Sequence, residues 1–74
     1  MGKLSNISGK DAAKAFQKAG WYKIGQVGSH LVMVKQGVRA NLSIPQHKEL
    51  APGTLRSLIR ASGLSVDEFL NICK

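Results

Sequence analysis

The sequence is poor in acidic residues, has a single cysteine and contains no long hydrophobic run. Because Cys73 stands alone, no intramolecular disulfide can form, and with two histidines in the whole chain we expect no dedicated zinc site. No apolar run approaches the ~20 residues that a membrane span needs, and the N-terminus does not resemble a signal peptide. These absences predict a cytoplasmic protein with no metal, no cofactor and no membrane contact.

Most sequence signatures of enzyme sites are also missing. The chain has no CxxC pair, no HExxH motif, no P-loop glycine run and no paired carboxylates. The site types that depend on these motifs are therefore not expected. Of the groups that can transfer a proton near neutral pH, the two histidines remain the first candidates.

What the chain does have is positive charge. Eleven Lys and Arg stand against four Asp and Glu, which gives a net charge of +7 and a pI of about 10.1. Residues 12–48 contain no acid at all. Such a basic field attracts polyanions, and phosphate neutralisation supplies most of the sequence-independent affinity for nucleic acids. The charge favours a nucleic-acid partner over a merely solvated surface or an acidic protein partner.

A chain of 74 residues forms one domain. We expect a single domain over residues 1–74, in which residues 1–7 are a loose lead-in. Because so short a chain buries little surface and is only marginally stable by itself, a partner protein is a reasonable expectation. The free chain is expected to be a monomer.

The hydrophobic pattern predicts an α+β fold. A first helix over residues 9–19 follows the capping-box spacing of Ser8 and Asp11 and ends at Gly20. Two strands are predicted over residues 21–27 and 30–35, with a tight turn at residues 36–37. A third strand over residues 38–44 shows the clearest two-residue alternation, and Pro45 ends it.

Two further helices follow this predicted three-stranded antiparallel sheet. The first is capped by Thr54 and ends at Gly63, and the second begins at a repeated capping-box spacing of Ser65 and Glu68. The predicted order is α-β-β-β-α-α, with the helices packed on one face of the sheet and a polar, basic face open to solvent.

His30 is the main candidate for chemistry, because it follows Gly28-Ser29 at the start of the second predicted strand. RNA supplies its own nucleophile, the 2′-hydroxyl, so one general base with nearby cations is enough to cleave it. The competing interpretation is an ordinary edge-strand histidine. The composition permits ribonuclease chemistry without requiring it.

The other candidates are weaker. His47 could protonate the leaving oxygen, or could be a loop histidine that bonds to backbone. Trp21 and Tyr22 could stack on bases, although for Trp21 a core position is favoured. Arg56 and Arg60 lie one helical turn apart, where they could contact phosphate or only keep the helix soluble.

Several motifs together resemble the HicA mRNA interferase toxins. The similarity runs from about Ser8 to Asn71, in the order and spacing of that family. It is carried by Gly28-Ser29-His30, by Ile44-Pro45-Gln46-His47, and by the stretch Gly53-Thr54-Leu55-Arg56-Ser57-Leu58-Ile59-Arg60-Ala61-Ser62-Gly63-Leu64. The Ser8-Gly9-Lys10 opening, the Ala19-Gly20-Trp21 junction and the Ser65-Val66-Asp67-Glu68-Phe69 ending add to it.

The resemblance implies a double-stranded-RNA-binding-domain-like fold, αβββα with a short C-terminal helix. It also implies a metal-independent endoribonuclease that cuts mRNA, with His30 as the catalytic residue, and a HicB-type antitoxin partner that covers this histidine. Supporting RNA contacts are expected at Gly28, Ser29, Lys35, Arg39, His47, Lys48 and Arg56. One alternative is a non-catalytic RNA- or DNA-binding module that uses the basic sheet face. Another is an adaptor whose basic face only binds an acidic protein.

Two positions depart from the family pattern. The residue after the motif histidine is often a second histidine, and here it is Leu31; a bulky aromatic is common two residues further on, where this chain has Met33. If the second histidine assists catalysis, this protein is slower or recruits His47 instead.

Overall fold

The computed structural model describes residues 4–73. Helix α1 spans Gly9–Lys18, followed by strands β1 (Tyr22–Val27), β2 (His30–Val34) and β3 (Leu42–Pro45), and then by helices α2 (Pro52–Ser62) and α3 (Val66–Cys73). The predicted α+β class and the predicted order of elements are confirmed. Over the described residues, no helix combines the length and the apolar character that crossing a membrane requires.

Helix α1 begins where its capping box predicts. The Ser8 hydroxyl accepts a hydrogen bond from the Asp11 N–H at 3.0 Å, and the Asp11 carboxylate accepts the Ser8 N–H at 3.5 Å. These two bonds satisfy donors that the first helical turn leaves unpaired. Ala12, Ala15 and Phe16 recur at helical spacing, so they share one apolar face of α1, and this face is buried.

The three strands form one antiparallel sheet in the order β1-β2-β3. β2 is central, and a register shift between Lys23 and Gly25 marks a bulge in β1. Alternate residues of β2 and β3 point into the core, where the side chains of Leu31, Met33, Leu42 and Ile44 are buried against the helices.

The third strand is shorter than predicted. The alternation predicted a strand over residues 38–44, but β3 spans Leu42–Pro45. The register pairs Met33 with Leu42, whereas the tight turn closes between Lys35 and Val38 with a 3.1 Å hydrogen bond. The residues that follow this turn do not pair with β2 and form a loop instead. Of the predicted inward-facing positions, Leu42 and Ile44 are the ones that are fully buried.

Two other boundaries differ from the prediction. Helix α2 begins at Pro52 after the cap residue Ala51, so Thr54 lies inside the helix and does not cap it. Proline suits the first helical position, because its missing N–H would be unpaired there anyway. In the predicted lead-in, Leu4 and Ile7 are buried in the core, so these residues are packed; residues 1–3 lie outside the described part of the chain.

The last two helices close the core. Gly63 ends α2, as predicted, and it does so in the left-handed conformation with φ 83°. Ser65 and Glu68 form the second predicted capping box, at 2.8 and 3.1 Å. In α3, Phe69 is fully buried, and its ring centroid lies 5.1 Å from that of Phe16 in α1. This aromatic pair packs α3 against α1.

Candidate functional site

His30 is the first residue of β2 and lies at one end of the sheet, beside a tight hairpin turn. Val27 and His30 pair across β1 and β2, so Gly28 and Ser29 are the two turn residues. Gly28 has φ 59° and Ser29 does not take a positive φ, which is the pattern of a type II′ hairpin turn with glycine first. The Gly28-Ser29 pair therefore fixes where β2 starts, and with it the position of His30.

The side chain of His30 lies on the open face of the sheet. Leu31 and Met33 point into the core, so His30, Val32 and Val34 occupy the opposite face. His30 is exposed, while its cross-strand partner on the other side is Pro45 of β3. A histidine on the central strand is thus held by pairing on both sides and remains accessible to a large ligand.

The position of Leu31 bears on the departure from the family pattern. Leu31 is only 9% exposed and faces the helices. A side chain at this position points away from the face that His30 occupies. The leucine therefore removes no polar group from the open face of this chain.

The end of β3 is tied to the hairpin turn that precedes His30. The Gln46 N–H donates a 2.7 Å hydrogen bond to the Ser29 carbonyl oxygen. One residue further on, the His47 carbonyl oxygen accepts a 2.9 Å hydrogen bond from the Gly9 N–H at the start of α1. The His30 turn, the end of β3 and the first turn of α1 thus meet at one end of the molecule.

Gly9 makes this junction possible. A Cβ atom at this position would overlap the carbonyl oxygen of Pro45 and would approach the Cα atom of Gln46 to 2.9 Å. Only glycine lets the helix start so close to the backbone of the β3 end. Gly9 and its contact with this strand end were not predicted as part of the site.

An open pocket of about 390 Å³ lies at the same junction. It is lined by Ser8, Lys10, Gln46, His47 and Lys48. Two of the predicted supporting residues, His47 and Lys48, therefore lie together near the His30 end of the sheet. Lys10 and Gln46 were not among the predicted site residues; the Ser-Gly-Lys opening and the Pro-Gln-His run, both noted in the sequence, were the available signals.

Lys35 and Arg39 are not brought close to His30. Lys35 follows the far end of β2, which at about 3.3 Å per strand residue places its Cα atom roughly 16 Å from that of His30. Its half-buried side chain packs over Gly20 instead. A Cβ atom placed on Gly20 would lie 3.1 Å from the Lys35 Cε atom. Arg39 lies exposed in the loop at that same far end.

Arg56 lies in a different pocket from His47 and Lys48. It lines a space of about 250 Å³ between α2 and α3 together with Ile59, Arg60, Leu64, Ser65 and Val66. Both arginines are exposed, as predicted for the outward face of α2. Of the aromatic candidates, Trp21 is buried, with 2% exposed, and Tyr22 is 53% exposed.

Two groups with shifted pKa values, Cys73 and Glu68, lie outside this junction. Burial raises the pKa of the Cys73 thiol above its ordinary value, and the charge of Asp11 adds to this effect. Hydrogen bonds from Ser65 lower the pKa of Glu68. Among residues 4–73, no three His, Cys, Asp or Glu side chains are close enough together to hold a metal ion.

The edge strand β1 carries exposed apolar side chains. Tyr22, Ile24 and Val27 are 53%, 58% and 71% exposed, respectively. Val27 pairs directly with His30. On the open face, an exposed apolar side chain therefore lies directly beside the histidine.

Comparisons with known proteins agree with this architecture. Residues 9–64 match the family model described as HicA toxin of bacterial toxin–antitoxin systems. A chain from a solved structure titled as a toxin–antitoxin complex from Streptococcus pneumoniae is 36% identical, and the match covers 78% of this chain and 98% of that chain with a TM-score of 0.71. The curated proteins contain no significant match to this chain. Since the family model covers most of the sequence, the chain belongs to the HicA toxin family.

Proposed function

We propose that this protein is the toxin of a toxin–antitoxin pair and acts in the cytoplasm as a metal-independent endoribonuclease that cleaves mRNA. The observation that carries the proposal is the position of His30, which is exposed on the open face of the sheet and held by pairing with Val27 and Pro45. A general base must be both accessible and fixed, because proton transfer requires hydrogen-bond reach to the reacting group.

In this mechanism His30 accepts the proton of an RNA 2′-hydroxyl. The freed oxygen attacks the adjacent phosphorus atom, the bond from phosphorus to the 5′-oxygen breaks, and that oxygen takes up a proton. The products are a 2′,3′-cyclic phosphate and a 5′-hydroxyl. Because the attacking oxygen belongs to the substrate, the protein needs no nucleophile of its own.

The charge distribution supports an RNA substrate. The net charge of +7 attracts a polyanion, and Lys10 and Lys48 bring cations to the end of the sheet where His30 lies. This positive charge holds the RNA strand at the end of the sheet where the histidine can reach it.

We further propose a HicB-type antitoxin as the protein partner. The similar solved chain comes from a structure titled as a toxin–antitoxin complex, and the exposed apolar side chains of β1 provide a surface that a protein partner can bury. A partner bound over Val27 also covers His30, its direct neighbour in the sheet. Binding there blocks access of RNA to the histidine.

The proposal is tested by incubating the purified, antitoxin-free protein with a generic mRNA in EDTA. We expect cleavage whose products end in 2′,3′-cyclic phosphates, identified by mass spectrometry of short fragments. A matched substrate with 2′-O-methyl groups throughout should not be cleaved, because it has no free 2′-hydroxyl to act as the nucleophile. DNA of the same sequence is resistant for the same reason.

Three outcomes separate the candidate functions. Intact RNA in the presence of EDTA contradicts the proposed mechanism. If RNA binds without being cut and binding weakens steeply with salt, the protein is a nucleic-acid-binding module. If no RNA binds even at low salt, the basic surface serves an acidic protein partner.

A further inference from the structure

The pocket between the start of α1 and the end of β3 has the chemistry of a phosphate-binding site. Lys10, His47 and Lys48 are among the residues that line it, and all three side chains are exposed. Its volume of about 390 Å³ accommodates a phosphodiester group with room for water. No catalytic role is needed to explain this cluster, since His30 does not line the pocket.

The two carboxylates that stand next to pocket residues in the sequence are hydrogen-bonded to the backbone. Asp11 accepts the N–H of Ser8 in the capping box at 3.5 Å. Glu49 accepts the N–H of Asn6 at 3.2 Å. Each acid therefore has a structural role in the segment that leads into α1, and neither of them lines the pocket.

The pocket is joined to the His30 turn through a short run of backbone. Gln46, which lines the pocket, donates its N–H to Ser29, the residue before His30. Gln46 also follows Pro45, which pairs with His30. The residue that pairs with His30 therefore directly precedes a residue of the pocket, so the two sites are neighbours along the end of β3.

We propose that this pocket binds a phosphodiester of the RNA strand next to the scissile one, with Lys10 and Lys48 as its main contacts and His47 among its lining residues. The inference rests on the proposed ribonuclease function and adds a binding subsite to it. Its role is to position the strand, because charge-assisted hydrogen bonds to phosphate fix register without reading sequence. His30 remains the only residue assigned to proton transfer.

The first test separates position from net charge. Lys10→Gln combined with Lys48→Gln removes two positive charges at the pocket, and Lys14→Gln combined with Lys23→Gln removes the same number elsewhere; all four side chains are exposed. Binding of a 2′-O-methyl RNA, which cannot be cleaved, is measured over a range of salt concentrations. For one lost phosphate contact on a single strand, the slope of log K against log salt should fall by about 0.7 in the pocket variant, and by clearly less in the control.

The second test uses substrate length. A dinucleoside monophosphate has one phosphate, so it occupies the scissile position and leaves the pocket empty. The pocket variant should cleave it as fast as the parent, whereas on longer RNA its KM should rise about tenfold with kcat kept within twofold. The control variant should show no such dependence on length.

The outcomes distinguish a wrong pocket from a wrong function. If the pocket variant and the control lose RNA affinity equally, the phosphate assignment is overturned, while the ribonuclease function stands on its own assay. If the protein cleaves no RNA, the salt dependence of binding still decides whether the pocket holds phosphate. If the pocket variant keeps its full RNA affinity, the proposal is contradicted, and the basic pocket residues are then better suited to an acidic protein segment.

Discussion

The carbonyl oxygen of Ser29 accepts a 2.7 Å hydrogen bond from the N–H of Gln46. This bond joins the turn that precedes His30 to the segment that carries His47 and Lys48. Because the same segment is bonded to Gly9 at the start of α1, the position of the candidate base depends on helix packing as well as on the hairpin. Changes at this junction should therefore affect activity without touching the histidine.

Replacing Gly9 with alanine tests this dependence. The added Cβ atom meets the carbonyl oxygen of Pro45, which belongs to the backbone and cannot swing aside. We expect a loss of stability of about 1–3 kcal/mol, measured by urea unfolding, together with slower RNA cleavage under conditions in which the variant is folded.

Gly53→Ala is the matched control for this substitution. Gly53 lies in the first turn of α2, and a Cβ atom there has no neighbour within 4 Å. Alanine should stabilise this helix by about 0.5 kcal/mol and leave cleavage unchanged. Equal stability of the two variants would contradict the described contact between α1 and the β3 end.

Gly28→Ala tests the turn itself. Gly28 has φ 59°, a conformation that costs an L-amino acid about 1–3 kcal/mol in such a turn. We expect lower stability and a lower kcat, because β2 begins two residues later with His30. Gly25→Ala, in the same hairpin but with no positive φ and no Cβ neighbour within 4 Å, should lose neither; a similar loss in both variants would show that the hairpin does not need this conformation.

The aromatic pair of Phe16 and Phe69 should make α3 necessary for folding. Phe69 is fully buried with its centroid 5.1 Å from that of Phe16, and Phe→Ala changes in cores cost about 3–5 kcal/mol. In a domain this small, that is a large share of the total stability. Circular dichroism should show Phe69→Ala largely unfolded well below the parent's Tm, whereas exchange of the exposed Asn71 for alanine should shift Tm by little.

The thiol of Cys73 should react slowly and at higher pH than a free cysteine. Burial raises its pKa above the ordinary value of 9.0, so the thiolate forms later as pH rises. Because the pKa is raised in the folded state, the folded protein is favoured at pH values below the ordinary thiol pKa, and this contribution is lost as the pH rises through the folded-state pKa. Iodoacetamide rates measured against pH, folded and in urea, check this; identical profiles would contradict the burial of the thiol.

Local patterns predicted the elements that depend on local chemistry. The capping boxes of Ser8 and Ser65 and the left-handed Gly63 each satisfy a helix end with neighbours in the chain, so their spacing was sufficient to place them. The burial of Leu42 and Ile44 followed from the strand alternation in the same way. The start of α2 was misplaced because Pro52 and Thr54 were both suitable near a helix N-terminus.

The features that the sequence did not predict depend on contacts between distant segments. The length of β3 is limited by a register that pairs Leu42 with Met33, which alternation along one strand does not reveal. The closeness of Gly9 to Pro45 joins residues far apart in the chain. Lys35 was expected among the supporting RNA contacts of the His30 site, although it follows the other end of β2.

The most direct test of the central claim is cleavage of one mRNA in EDTA by the parent and by His30→Ala, side by side. His30 is exposed, so the change should leave Tm nearly unaltered, and both proteins should bind 2′-O-methyl RNA with similar affinity. Loss of a general base typically slows a reaction by about 10²–10⁴-fold, and we expect a loss of that order. Equal cleavage by the two proteins would contradict the assignment of His30 as the base.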